Sequence, residues 1–182
     1  GTSDAVTGRR PLEIDPIAEA RRQWEAHGWA DAAPGMEVVT SVMRVQPLLR
    51  ARVDEVLEPF GLTFARFELL ALLSFTKEGE LPLGKIGARL QVHPTSITSA
   101  VDRLEREGLV ARVAHPTDRR TTLASLTPAG RRLTARATRA LNEQVFTALP
   151  LRDPELDGVT RALRTLRVAA GDPEASGAAL DR

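Results

Sequence analysis

Three charged side chains adjoin one another at a predicted turn between two β-compatible runs. Asp118, Arg119 and Arg120 follow the run LVARVA and precede the run TTLASL, so the pattern predicts a β-hairpin with a basic tip. Arginines at such a tip can contact phosphates or enter a narrow minor groove of DNA. A carboxylate beside them can hold a guanidinium in one orientation. The alternative is a polar turn with an incidental ion pair, worth about 0–1 kcal/mol.

The segment before the hairpin, HPTSITSAVDRLEREG, predicts a helix with one buried face. Ile97, Val101 and Leu104 recur at helical spacing and must point into a core. The side opposite the core carries Thr95, Ser99, Asp102 and Arg106, flanked by Ser96 and Arg103. Small hydroxylated side chains thus lie near the start of this outer face, and arginines lie further along. Small polar groups can approach base edges closely, and arginines reach guanines or phosphates. An ordinary exposed helix face is the alternative.

A second short helical pattern, LPLGKIGARLQV, comes just before this helix. Two short helices in succession, the second with such a face, fit a helix-turn-helix whose second helix reads DNA. A two-stranded ribbon directly after that helix would then be a wing with a projecting tip. The hairpin therefore strengthens the prediction that the outer face of the helix contacts DNA.

The charge distribution agrees with an anionic partner bound at one place. Residues 84–132 contain nine Lys and Arg against four Asp and Glu, a net charge of +5, whereas the whole chain carries +1. A basic middle between acidic shoulders suits nucleic acid. Charge alone would fit a solvated surface equally well.

Composition excludes several classes of protein. The 182 residues are 42% hydrophobic and 27% charged, typical of a soluble globular protein of one or two domains. No apolar run approaches the roughly 18 residues of a membrane-spanning helix. No secretion-signal pattern opens the chain, and the absence of cysteine excludes disulfides, zinc–thiolate sites and redox-sensing thiols. We expect a cytoplasmic protein without membrane contacts.

An enzyme finds little support in the sequence. His27, His93 and His115 fall on three different predicted elements without metal-ligand spacing. No phosphate-binding glycine loop or nucleophile-elbow motif occurs. We therefore predict no catalytic residues, no metal and no cofactor.

The predicted fold class is mostly α with a small β-hairpin (α+β), in the order helix, long helix, helix-turn-helix, hairpin and two further helices. Asp15 and Gly28 bound a short first helix, residues 29–35 form a linker, and a long amphipathic helix starts at Met36. Pro47 inside that helix predicts a kink or a restart. After a buried helix at residues 64–75, helices follow the hairpin from Thr127 to about residue 149 and at residues 153–170.

The stretch VHPTSITSAVDRLEREGLVARVAHPTDRRTTLASLT resembles the core of the MarR (multiple antibiotic resistance regulator) family of bacterial transcription regulators. The matching pieces are Asp102-Arg103-Leu104-Glu105, Gly108-Leu109, the D-x-R of Asp118 and Arg120, and Leu126-Thr127 with Gly130. His93 departs from the pattern, since Ser, Asp or Asn is the better helix N-cap. The resemblance extends over residues 36–170.

This resemblance implies a winged helix-turn-helix that binds a pseudopalindromic double-stranded DNA operator as a homodimer, most often as a repressor. The implied DNA-binding residues are Thr95, Ser96, Ser99, Arg103, Arg106, Asp118, Arg119 and Arg120. The implied division of the chain is a disordered segment at 1–14, an extra N-terminal helix at 15–28, the winged helix-turn-helix at 63–127, dimerisation helices at 36–62 and 128–170, and a disordered tail at 171–182. The alternative is a winged helix used only for protein contacts, which would not need a basic tip.

The resemblance also implies an effector site. Family members often sense a small aromatic or anionic molecule in a cleft beside the dimerisation helices. The extra helix with Trp24 resembles an addition found in the urate-responsive branch, and Glu68 falls where that branch has an acidic residue. Ala100 stands where the branch has an arginine, so the resemblance does not extend to that urate contact. Packing of the extra helix on its neighbours is the alternative role of Trp24.

Overall fold

A short helix opens the part of the chain that the structure describes, residues 13–174 of a computed structural model. Helix α1 spans Pro16–Ala26. The carboxylate of Asp15 caps it by accepting the N–H of Ile17 at 2.9 Å, as predicted. Gly28 follows with φ of 82°, a conformation that glycine adopts without strain, and it ends the helix where the sequence predicted.

The long helix α2 spans Ala33–Leu57 without interruption. It begins before the predicted Met36, so residues 33–35 of the predicted linker at 29–35 are helical. Pro34 fits the first turn of a helix, because the N–H that proline lacks would have no partner there. Of the predicted kink or restart at Pro47, the restart is wrong, because the helix continues through Pro47; the kink stays a prediction. The chain divides into two compact units between residues 51 and 52, within the span of this helix.

Three helices form most of the second unit's interior. Helix α3 spans Phe64–Phe75 after a cap by the Thr63 hydroxyl, helix α4 spans Leu83–Leu90, and helix α5 spans Pro94–Arg106. Ile97, Val101 and Leu104 are buried as predicted, whereas Phe75, at the end of the predicted buried helix, is exposed. The largest side chains with almost no exposed surface are Leu57, Leu69, Leu70, Leu73, Ile86, Leu104 and Leu141. This core packs against the inner faces of α4 and α5, so the outer face of α5 lies in solvent.

The sheet has three strands and not the two predicted. Strands β1 (Glu80–Pro82), β2 (Val110–Ala114) and β3 (Thr122–Leu126) lie in the order β1-β3-β2, all antiparallel. The sequence pattern had included Leu81 in the helix that became α4. Leu81 instead pairs with Ala124 of β3 and is buried, because this short strand closes the free edge of the hairpin.

Two helices follow the wing. Helix α6 spans Pro128–Leu141, a π-helical turn continues over Asn142–Phe146, and helix α7 spans Asp153–Ala169. Thr127 caps α6 as predicted, since its hydroxyl accepts the N–H of Gly130 at 3.0 Å. The described residues thus confirm a mostly helical protein with a small antiparallel sheet. The predictions of disorder at both ends of the chain lie largely outside the described residues.

Candidate nucleic-acid interface

Helix α5 has the orientation that its sequence predicted. Ile97, Val101 and Leu104 are at most 4% exposed, so they fix which side of the helix faces outward. The side chains predicted to meet DNA are all exposed: Thr95, Ser96, Ser99, Arg103 and Arg106. The structure therefore brings these five residues onto one solvent-facing surface. Their contacts with DNA remain predictions.

The N-terminus of α5 is capped by a histidine. His93 has extended backbone angles, and its Nδ1 accepts the backbone N–H of Thr95 at 3.1 Å. The imidazole nitrogen thus does what the oxygen of a Ser, Asp or Asn does at this position. The sequence had marked His93 as a departure from the family pattern, and the structure shows that the capping contact is kept.

Two arginines lie on the second half of the α5 outer face. The Nε of Arg103 donates to Glu107 at 2.9 Å, one turn further along, with both side chains largely in solvent. Such an exposed pair is worth little, on the order of 0–1 kcal/mol, so it can open when a phosphate approaches. Arg106 is exposed in the last turn of the helix.

The wing tip is shaped by Asp118. Its Oδ1 accepts the backbone N–H of Arg120 at 3.0 Å, and its Oδ2 accepts the hydroxyl of Thr121 at 2.7 Å. The hydrogen bond from Thr121, followed by that from the Arg120 N–H, lowers the pKa of the Asp118 carboxyl below its ordinary value. The predicted role of holding a guanidinium is not what these contacts show. Asp118 orders the main chain from which the arginine projects.

Both arginines of the tip are exposed. Within residues 13–174 neither Arg119 nor Arg120 forms an ion pair. An unpaired, solvated guanidinium at a projecting turn is available to a phosphate or a minor groove without first breaking a contact within the chain. The predicted basic tip is thus present, with its acid used for shape.

Arg112 joins the wing to the recognition helix, a role that sequence reasoning missed. Arg112 lies on β2, and its guanidinium donates to the carboxylate of Glu105 at 3.0 Å and also to that of Asp102. The backbone N–H of Arg112 donates to the other carboxylate oxygen of Glu105 at 2.9 Å. The hydrogen bond to Asp102 raises the pKa of Arg112, with Glu105 acting in the same direction. In the sequence, the i, i+3 spacing of Asp102 and Glu105 predicts an acidic patch on α5, which was the available sign of a basic partner.

The base of the wing is fastened to helix α6. The Thr127 hydroxyl donates to the carbonyl of Gly108 at 2.7 Å, and the Thr127 N–H donates to the carbonyl of Leu109 at 3.1 Å. A Cβ on Gly130 would lie 2.0 Å from that Leu109 carbonyl oxygen, so only glycine allows this approach. The L-T-x-x-G pattern is thus explained by a close contact between strand and helix.

The two residues predicted to contact an effector lie in different compact units. Trp24 on α1 is half-buried, and its ring meets that of Trp29 edge to face with centroids 5.4 Å apart. The same helix is tied to α2 by an ion pair between Arg21 and Glu37. Glu68 lies on the exposed side of α3. Packing of Trp24 on Trp29 agrees with the alternative role stated for it, and the effector role stays a prediction.

The described residues show neither a metal-binding cluster nor a helix that could span a membrane. Among residues 13–174 no group of three or more His, Asp or Glu side chains is placed to hold a metal ion. No helix in the same part of the chain is long and apolar enough to cross a membrane. The basic, outward-facing surface of α5 and the wing is the feature that stands out.

Comparison with known proteins identifies this arrangement. The MarR family matches residues 62–122, which include the whole helix-turn-helix and most of the wing. Sco5413, a MarR family transcriptional regulator from Streptomyces coelicolor, is 49% identical, with a TM-score of 0.70 over 78% of this chain and 99% of that one. CouR from Rhodococcus jostii, solved with p-coumaroyl-CoA, is 27% identical with a TM-score of 0.64, over 76% of this chain and 95% of that one.

A curated relative gives the same result. The chain is 40% identical to the HTH-type transcriptional repressor MdtR of Bacillus subtilis over 94 residues, and these residues make up 52% of this chain. The match spans 59% of the length of that relative. The chain belongs to the MarR family, and its winged helix-turn-helix is that of a DNA-binding transcriptional regulator rather than of a module used only for protein contacts.

Proposed function

We propose that the protein is a ligand-responsive repressor that binds a pseudopalindromic operator as a homodimer. The observation that carries this proposal is the pairing of an exposed helix α5 and basic wing tip with apolar helix faces that stay exposed within residues 13–174. The relatives it resembles are transcriptional regulators, and we propose no catalytic activity and a cytoplasmic site of action.

The apolar faces support the dimer. On helix α7, Val159, Leu163 and Leu166 recur at i, i+4 and i+7 and are 39–55% exposed. On helix α2, Val38, Val42, Val45 and Leu49 form a similar row, each more than 40% exposed. Soluble chains rarely leave such rows in water, because each apolar side chain removed from water contributes about 1.5–3 kcal/mol. A second copy of this chain is the partner that we propose for both.

A dimer with a twofold axis has a defined footprint. Two recognition helices would read half-sites about 34 Å, one helical turn, apart. DNase footprinting on the DNA upstream of the protein's own gene tests this, because regulators of this kind often bind there. We expect two inverted half-sites, and sedimentation of the complex should give two chains per site. A footprint on one unrepeated half-site would contradict the dimer.

The ligand response is proposed for a small aromatic or anionic effector, with contacts at Trp24 and Glu68. CouR, which is similar over most of this chain, is named with p-coumaroyl-CoA, an aromatic and anionic molecule. Trp24 and Trp29 are the two tryptophans of the chain. Trp29→Phe therefore leaves Trp24 as the sole indole reporter.

Titrating aromatic carboxylates and their CoA thioesters into that variant should change its indole emission at concentrations that also release DNA. Glu68→Gln should alter the ranking of anionic effectors without changing binding to DNA in their absence. Release of DNA with no change in Trp24 emission would place the effector elsewhere. Absence of release by any of these compounds would contradict the proposed effector class but not the dimeric repressor.

A further inference from the structure

The tripeptide His-Pro-Thr occurs twice, once in each element of the DNA-binding surface. His93-Pro94-Thr95 begins helix α5, and His115-Pro116-Thr117 leads from β2 into the wing tip. The two copies share a geometry as well as a sequence. In each, the imidazole Nδ1 accepts the backbone N–H of the threonine two residues on, at 3.1 Å in the first and 3.2 Å in the second.

The second copy is held at one further point. The Nδ1 of His115 also accepts the N–H of Asp118 at 3.0 Å, so its ring nitrogen receives two main-chain donors at the wing tip. His115 is half-buried and His93 is exposed. Both rings are therefore fixed to the main chain by one edge, and the other edge is left for a different contact.

These contacts decide which ring nitrogen carries the proton. A nitrogen that accepts a backbone N–H has no hydrogen of its own, so the neutral ring must carry its hydrogen on Nε2. Within residues 13–174 no hydrogen-bond partner faces the Nε2 of His93 or of His115. In this geometry each ring presents a fixed Nε2–H donor. His27 differs, because its Nδ1 lies 2.6 Å from the carbonyl of Gln23 and must donate there.

The position of each ring suggests what the donor meets. In a helix-turn-helix the start of the recognition helix enters the major groove, and groups at helix N-termini commonly contact phosphates. A wing tip runs along the adjacent backbone. We propose that His93 and His115 donate their Nε2–H groups to phosphate oxygens of duplex DNA, as neutral contacts that position the recognition helix and the wing.

A neutral donor has a signature that a cation does not share. An arginine on a phosphate releases condensed counterions, so its loss lowers the slope of log K against log salt by about 1. A neutral imidazole releases none, so its loss weakens binding equally at every salt concentration. Phosphate contacts are also independent of base sequence, so a duplex of mixed sequence is a sufficient probe.

The test uses substitutions that keep the cap and remove the donor. His93→Ser and His115→Ser retain an oxygen that can accept the Thr95 or Thr117 N–H, but place nothing where Nε2 was. His27→Ser is the matched control outside the winged helix, and Arg120→Ala supplies the cationic comparison. Anisotropy of a fluorescent mixed-sequence duplex, measured across a salt series at one fixed pH, reports affinity and slope.

Each serine variant should bind about two- to tenfold more weakly than the parent, the scale of one neutral hydrogen bond, with an unchanged salt slope. The melting temperature should stay near that of the parent, whereas His93→Ala should lower it because the cap is lost as well. His27→Ser should bind as the parent does. Parent-like binding by both serine variants would overturn the proposal, as would a reduced salt slope.

If His93→Ser proves unstable, His115→Ser alone decides, because the wing tip lies outside the hydrophobic core. The assignment rests on DNA binding itself, and a parent protein that fails to bind the duplex at low salt would overturn both. Parent-like binding by the serine variants, with a parent that still gives two half-sites in the footprint, would overturn the histidine contacts and leave the dimeric repressor intact.

Discussion

The interior of the winged helix and the faces of the flanking helices differ in how completely they are covered. In the winged helix, Ile86, Val101 and Leu104 have no exposed surface. On helix α7 no side chain is buried, although Val159, Leu163 and Leu166 share one face. The same amphipathic pattern therefore ends in a packed core in one region and in solvent in the other.

This difference separates two sources of stability. The DNA-reading region is held by contacts within one chain, and its caps and the Arg112 contacts are all satisfied internally. The flanking helices α2 and α7 have apolar faces that stay exposed within residues 13–174, and we propose that a second copy of the chain covers them. Stability of the winged helix should thus be largely independent of protein concentration, and that of α7 should not.

The largest effect is expected from removing α7. Deleting residues from Arg152 onward removes one apolar face and exposes the surface that it covers in the proposed dimer, so the product should aggregate or fail to fold. Size-exclusion chromatography with light scattering and circular dichroism would show this. A well-folded monomer would contradict the proposed role of the C-terminal helix.

A pair of leucine substitutions sharpens the comparison. Leu104→Ala leaves a cavity in the core and should cost about 2–5 kcal/mol of unfolding free energy at any protein concentration. Leu163→Ala should instead weaken the dimer, so that its melting temperature depends more steeply on concentration than that of the parent. Thermal melts over a dilution series measure both. Equal, concentration-independent losses would mean that α7 packs only within its own chain.

A glycine pair tests the junction between wing and α6. Gly130→Ala places a Cβ against the Leu109 carbonyl and should destabilise the protein by about 1–3 kcal/mol. Gly84→Ala in helix α4 is the matched control, since nothing lies within 4 Å of its Cβ, and it should be neutral or stabilising by about 0.5–1 kcal/mol. Denaturant unfolding compares the two variants. An unchanged unfolding free energy in Gly130→Ala would show that α6 can move away from the Leu109 carbonyl at no cost.

Elements with a periodic sequence pattern could be predicted from the sequence. Elements that depend on contacts between distant residues could not. The α5 pattern placed Ile97, Val101 and Leu104 in the core because helical spacing alone decides which face is apolar. The caps by Asp15 and Thr127 are equally local. Strand β1 was missed because it is three residues long, contains Pro82, and exists through pairing with β3 more than forty residues away.

The candidate site divides in the same way. The exposed residues of α5 and the wing could be predicted, because residues close together in the sequence determine both the turn and the exposed face of a helix. The partners of Arg112 lie on another element, and the i, i+3 spacing of Asp102 and Glu105 does not by itself show that Arg112 faces them. His93 was undervalued because ring nitrogens are uncommon caps, and only coordinates show where Nδ1 points.

Loss of one wing arginine should weaken DNA binding without touching the core. Arg120→Ala removes a solvated cation that makes no ion pair within residues 13–174, so the melting temperature should hardly change. Operator affinity should fall by about 1–3 kcal/mol, the scale of one good nucleic-acid contact. Titration against operator DNA at fixed salt measures the loss. Unchanged affinity would remove Arg120 from the interface.

Asp118 gives the smallest expected effect and the sharpest test of the wing. Counting charges predicts that removing an acid beside DNA tightens binding, for alanine and asparagine alike. The structure predicts a difference, because Oδ1 accepts the Arg120 N–H at 3.0 Å and Oδ2 accepts the Thr121 hydroxyl. Asp118→Ala loses both contacts and should weaken operator binding by about 0.5–1.5 kcal/mol, the net value of such a hydrogen bond.

Asp118→Asn separates shape from charge at the same position. Its amide oxygen can still accept the Arg120 N–H, so the tip should keep its conformation while the negative charge is removed. This variant should bind operator DNA at least as tightly as the parent, and more tightly than Asp118→Ala. Both are titrated at the same salt concentration as Arg120→Ala. If alanine and asparagine both tighten binding, Asp118 does not order the tip, and the wing acts as a basic patch whose conformation is unimportant.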